Sequence, residues 1–138
     1  MHSDTIMNNL SHLNTFLVIF IGGGMGALVR YLCSIILNTK SFYFLLGLPL
    51  GTLFVNLVGC FLLGFISGLM PINTLSKLGL TTGFMGGLTT FSTFGLENGR
   101  LLSEGQVTKA ILHLLLHTSL GIALSILGLS LGLNYAKK

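Results

Sequence analysis

Residues 78–96 read LGLTTGFMGGLTTFSTFGL, and five glycines, five threonines and one serine fill 11 of these 19 positions. The stretch has the length of a bilayer-crossing helix, about 20 residues, but a helix of this composition propagates poorly. Gly86 and Gly87 cost it stability, and the hydroxyls of Thr89, Thr90, Ser92 and Thr93 offer the backbone other partners. A break is therefore expected near Gly86 to Thr90. In lipid, a non-helical turn must be buried in protein or line a cavity, and broken helices are where transport proteins place ion sites. The bland alternative is a segment that is rich in small residues only to pack tightly.

Working outward, three further stretches are long and apolar enough to span a membrane: residues 14–37, 48–70 and 110–133, with 78–96 as the third of four in chain order. Of the 138 residues, 51 % are hydrophobic and only 7 % charged, with a mean hydropathy of +0.88. A soluble domain carries roughly a quarter charged residues, so a soluble enzyme is excluded and lipid is the expected solvent. The runs are too long and too unalternating for barrel strands. The fold class is an all-α membrane protein, a single domain over 1–138 of four transmembrane helices with the third broken.

Gly22 with Gly26, Cys60 with Gly64 and Gly68, Gly79 with Gly83 and Gly87, and Gly128 with Gly132 form small-residue rows that let helices approach closely. Cys33 and Cys60 lie in apolar runs without metal-ligand spacing and read as packing residues. The net charge of +4 includes no basic run, so nucleic acid is not an expected partner. The first 14 residues hold no Lys or Arg, and the first apolar run is too long for a signal-peptide core, so this span is expected to be retained.

No nucleophile with its base, carboxylate pair or metal cluster is visible, which argues against an enzyme. Asp4 is N-terminal and Glu97 and Glu104 sit at or beyond the end of the third span, an arrangement that also argues against cation exchange. The polar groups inside the spans are mostly donors: Arg30, Thr52 and Asn56, the third-span hydroxyls, and His113, His117, Thr118, Ser119 and Ser125. This set suits an anion. Arg30 has the reach either to enter the bundle or to snorkel to the interface. Thr52 and Asn56, at i and i+4, share a helix face. Phe91 and Phe94, at i and i+3, put two rings on one side if helix resumes after the break, and ring edges are electropositive; core packing is the competing reading. His113 and His117 also share a face, but zinc would need further ligands, and neutral imidazoles hydrogen-bonded across the bundle are expected.

GFMGGLTTFSTFGLE (83–97), GGGMGALVRY (22–31) and GTLFVNLVG (51–59) together resemble the CrcB/Fluc family of fluoride channels, in order and spacing, over nearly the whole chain. The resemblance implies an antiparallel, dual-topology dimer in the cell membrane, formed with a second copy or a related chain, with two fluoride pores that export toxic fluoride passively. It implies that Phe91 and Phe94 line the pores, with Asn56 as the pore-facing amide, Thr52 one turn away, and Ser92 and Thr93 supplying hydroxyls. Arg30 would lie near the vestibule. The backbone carbonyls of Gly86 and Thr89 would hold one structural Na+ on the dimer axis, and Glu97 would make a structural polar contact. In the fourth span His113 and His117 stand where the family often has a tyrosine and a serine.

A small multidrug-type exporter has similar size, but it needs a membrane carboxylate and an aromatic cage for cationic drugs. Dual topology has independent support in the charges. Lys77, Lys137 and Lys138 fall on one side, and Lys40, Arg100 and Lys109 on the other. Adding the N-terminal amine to the first set and Arg30 to the second keeps the two equal, so the Lys/Arg bias that orients short loops selects neither orientation.

Overall fold

In the computed structural model, which describes residues 2–38, 47–69 and 75–138 and the side chains from residue 12 on, all regular structure is helical. Helix α1 is His2–Leu37 and α2 is Leu50–Leu69. Helix α3 covers residues 75–88: Leu75–Leu78, a wider π-helical stretch Gly79–Met85, and Gly86–Leu88. After Thr89 and Thr90, α4 is Phe91–Ser103. Helix α5 covers Val107–Ala136 and widens into a π-helical turn at Leu116–Leu120. Segments of α1, α2 and α5 are each long and apolar enough to cross a bilayer, and α3 and α4 make the broken third element. Lys40, Pro71 and Asn73 and the end of the second span at Met70 lie outside the described residues.

The glycine rows decide which helices touch. A Cβ on Gly26 would land on the Phe84 carbonyl, and one on Gly87 on the Gly23 carbonyl, so α1 and α3 pack backbone to backbone. In the other pair, a Cβ on Gly64 would meet the Ser125 carbonyl and one on Gly128 the Phe61 carbonyl, which brings α2 against α5. Lipid tails are as apolar as leucine, so such close approach replaces the hydrophobic drive that holds helices together in water. Ser125 Oγ adds a 3.3 Å hydrogen bond to the Cys60 carbonyl. Between the two pairs, Val55, Met85 and Leu88 form a buried cluster.

Side chains from neighbouring elements close the helix ends. Asn38 Oδ1 accepts from the Gly51 N–H at 2.8 Å in the first turn of α2, and buried Lys77 donates to the Ser67 carbonyl in its last turn at 3.3 Å. Helix α4 stops at Gly105, whose φ of +73° is the left-handed region that glycine enters without a Cβ penalty. The Gln106 N–H reaches Leu101 O at 2.8 Å and the Gly105 N–H reaches Leu102 O at 3.0 Å, the paired bonds of a Schellman cap. The third element therefore runs well past Leu96. Glu97, read from hydropathy as terminal, lies in the middle of a helix.

Candidate functional site

The helix breaks over two residues, Thr89 (φ −82°, ψ 153°) and Thr90 (φ −151°, ψ 117°), at the C-terminal end of the expected window, while Gly86 and Gly87 remain helical. Each backbone group freed by the break needs a partner. The Thr90 N–H, which helix geometry would have sent to Gly86 O, donates instead to Asn56 Oδ1 at 2.8 Å. Asn56 Nδ2 donates to the Thr90 carbonyl at 3.1 Å. One amide thus pairs with both polar groups of one residue, as a neighbouring strand would. Arg30 Nε donates to Gly87 O at 3.1 Å, which turns this arginine into the bundle rather than toward the interface.

Thr90 also starts the next helix. Its Oγ1 accepts from the Thr93 N–H at 3.2 Å and donates to Thr93 Oγ1 at 3.0 Å, with Ser92 Oγ 3.2 Å away. Removing such a cap costs about 1 kcal/mol. Thr90→Val should therefore lower the thermal unfolding midpoint of the detergent-solubilised protein by that equivalent; an unshifted midpoint would show that the cap contributes nothing.

Two cavities adjoin the break. One of about 290 Å³ is lined by Asn56, Cys60, Phe91, Phe94, His117 and Thr118, among others, and no charged residue borders it. The other, about 210 Å³, is bordered by Arg30, Tyr31, Ser34, Thr52, Thr90 and Thr93. Thr52 and Asn56 share a helix face but border different cavities, and Thr90 borders both. Ser92 is exposed and lines neither. The Phe91 and Phe94 ring centroids are 5.7 Å apart with planes tilted by 53°. Phe94 is buried, whereas Phe91 is 83 % exposed on the single chain.

The fourth-span histidines meet this pair directly. The Phe94 centroid lies 4.3 Å from that of His117 and 5.4 Å from that of His113. The His117 Nδ1–H donates to the His113 carbonyl at 3.0 Å. His113 is completely buried; it packs against Phe94, which borders the ring cavity, and lies 3.9 Å from Glu97, which with Asn38, Arg100 and Glu104 borders a third cavity of about 340 Å³.

Asn98 escaped the sequence reading, and Glu97 was expected only to make a structural polar contact, as the family resemblance implies. Glu97 turns into the bundle: Thr52 Oγ1 donates to its Oε1 at 2.6 Å, and its Oε2 lies 3.9 Å from His113 Nε2. A carboxylate does therefore enter the bundle, though not the ring cavity. Asn98 Nδ2 contacts both Phe94 O, at 3.1 Å, and His113 Nδ1, at 3.0 Å. Both residues follow Phe94 at helical spacing, i+3 and i+4, a signal usable once α4 is known to continue past Leu96.

For a cation, the chemistry available near the break is carbonyl oxygen. Gly86 O has lost its helical donor to Asn56 and Gly86 is exposed, while Thr89 is extended, so its carbonyl leaves the helical ladder. Carbonyl oxygens are the kind of ligand that a hard cation takes.

A profile of the family described as "CrcB-like protein, Camphor Resistance (CrcB)" matches residues 17–129. The chain is 44 % identical over 129 residues to "Fluoride-specific ion channel FluC 1" of Yersinia pestis, covering 91 % of this chain and 98 % of that protein. It is 47 % identical over 108 residues to "Fluoride-specific ion channel FluC" of Methanocaldococcus jannaschii, covering 76 % of this chain and 83 % of that one. With the protein of the same name from Chlorobium phaeobacteroides the identity is 42 % over 123 residues, 86 % of each chain.

Proposed function

The chain belongs to the CrcB-like family, and on that premise we propose that it is a fluoride-selective channel, not an enzyme, which exports fluoride passively across the cell membrane and so relieves its toxicity. The observation that carries this reading is the ring cavity at the broken helix, walled by Phe91, Phe94, Asn56 and His117 and free of carboxylates.

Fluoride binds water tightly, so a path through lipid must replace that shell with donors without holding the ion so firmly that it cannot leave. Arg30 supplies fixed positive charge beside the smaller cavity, and Thr93 a hydroxyl there. Asn56 gives one amide hydrogen to Thr90, and its second is available to the ring cavity. The edges of Phe91 and Phe94 add weak electropositive contacts suited to transfer rather than capture. Thr52, His113 and His117 complete the polar track toward the Glu97 cavity, while Ser92 serves the break through Thr90.

The channel is proposed to be an antiparallel dimer of two copies in the bilayer, which suits a ring cavity whose Phe91 wall is exposed in one chain. One structural Na+ would sit between the copies, held by the carbonyls of Gly86 and Thr89 from each. When bound it supplies positive charge that satisfies carbonyls freed from the helix. Within each chain Arg30 and Asn56 satisfy the Gly87 and Thr90 carbonyls by donating hydrogen bonds.

Liposomes loaded with potassium fluoride or potassium chloride test the proposal. Purified protein should release fluoride once valinomycin provides a counter-current of potassium, and should leave chloride inside. Equal release of both halides, or none of fluoride, would refute the reading.

A further inference from the structure

Buried His113 has two ring nitrogens with different surroundings, and Asn98 fixes which carries the hydrogen. Asn98 Nδ2 is 3.1 Å from the Phe94 carbonyl, which can only accept, so the amide must present NH2 there. The same nitrogen is 3.0 Å from His113 Nδ1 and donates its second hydrogen to it. Nδ1 is then an acceptor, and the neutral ring bears its hydrogen on Nε2.

The other groups facing the ring leave this assignment intact. His117 uses its Nδ1–H on the His113 main-chain carbonyl, not on the ring, and meets the ring edge-on at a centroid distance of 4.4 Å. Glu97 Oε1 is taken by Thr52, and Arg100 follows Glu97 three residues on in the same helix. Glu97 Oε2 lies 3.9 Å from Nε2, beyond hydrogen-bond reach, and both atoms are buried without a hydrogen-bond partner. A buried donor left unmatched is costly. The His113 ring packs against Phe94, on the ring cavity, and its Nε2 faces Glu97, on the charged one.

We infer that Asn98 is a positioning residue for conduction: by holding His113 as the Nε2–H tautomer, it makes the wall between the two cavities present a hydrogen, not a lone pair, to an anion passing Phe94. The inference rests on the channel reading above.

Nitrogen NMR of 15N-histidine-labelled protein in lipid reads the tautomer directly, with His113→Gln identifying the signal. The wild type should show a bare Nδ1 and a protonated Nε2 at His113. Asn98→Leu should move that signal toward the other tautomer and lower fluoride efflux about tenfold, the equivalent of one hydrogen bond to a charged group. Asn98→Ala carries the same expectations if the leucine variant does not fold. Adding His113→Gln to Asn98→Leu should restore efflux in part, since an amide donor has no tautomer to lose. A wild-type His113 protonated on Nδ1, or Asn98 variants with unchanged tautomer and efflux, would overturn the inference. Wild-type protein that releases no fluoride fails the channel reading instead, and the NMR result still decides what Asn98 does to the ring.

Discussion

Replacing Phe94 with isoleucine is expected to cut fluoride efflux from liposomes by about tenfold or more while the protein stays folded. The side chain is 6 % exposed and packed against Phe91, His113 and His117, so isoleucine retains most of the volume and all of the apolarity, at a cost of under about 1.5 kcal/mol. It loses the electropositive ring edge. Directed aromatic contacts are worth about 0.5–1.5 kcal/mol, and each 1.36 kcal/mol added to a barrier is tenfold in rate. The conducting role of the pair thus separates from its packing role: a mere core residue would change the unfolding midpoint and leave efflux alone. Phe91→Ile should lower efflux as well, and with less effect on stability, because Phe91 is 83 % exposed in one chain. Folded variants with wild-type efflux at both positions would remove the rings from the path.

How much of this site could be read from residues alone depends on which force set each feature. The break was legible because glycine and threonine act locally on the backbone, and it falls at Thr89 and Thr90 within the window their composition marked. The partners of the break were not legible in the same way. Asn56 was read as an amide facing a path, yet both its ends engage Thr90, a pairing across 34 residues that only the fold creates. The placing of Glu97 inside a helix, and Asn98 altogether, were missed for a different reason. Hydropathy marks where apolar residues stop, at Leu96, whereas the helix ends where Gly105 turns left-handed. The π-helical turn at Leu116–Leu120, which contains His117, has no local signal of that kind, because it depends on packing along α5.

Biasing the charge balance should have the largest effect of all. Lys77, Lys137 and Lys138 stand against Lys40, Arg100 and Lys109, three on each side of the membrane for a chain with four crossings, and insertion follows the Lys/Arg bias of short loops. With no bias, copies enter both ways and can pair about a twofold axis in the membrane plane, each presenting the same surface to the other. Two lysines added between Glu104 and Lys109 should send every copy one way, and two added at the C-terminus should send every copy the other way. Either variant alone should lose nearly all fluoride efflux, because parallel copies cannot bring their Phe91 walls together about that axis. Coexpression of the two should restore it. A structural defect introduced by the lysines would survive coexpression, so the rescue isolates orientation as the cause. Full efflux from one uniformly oriented variant would instead mean that the antiparallel pair is not the conducting unit.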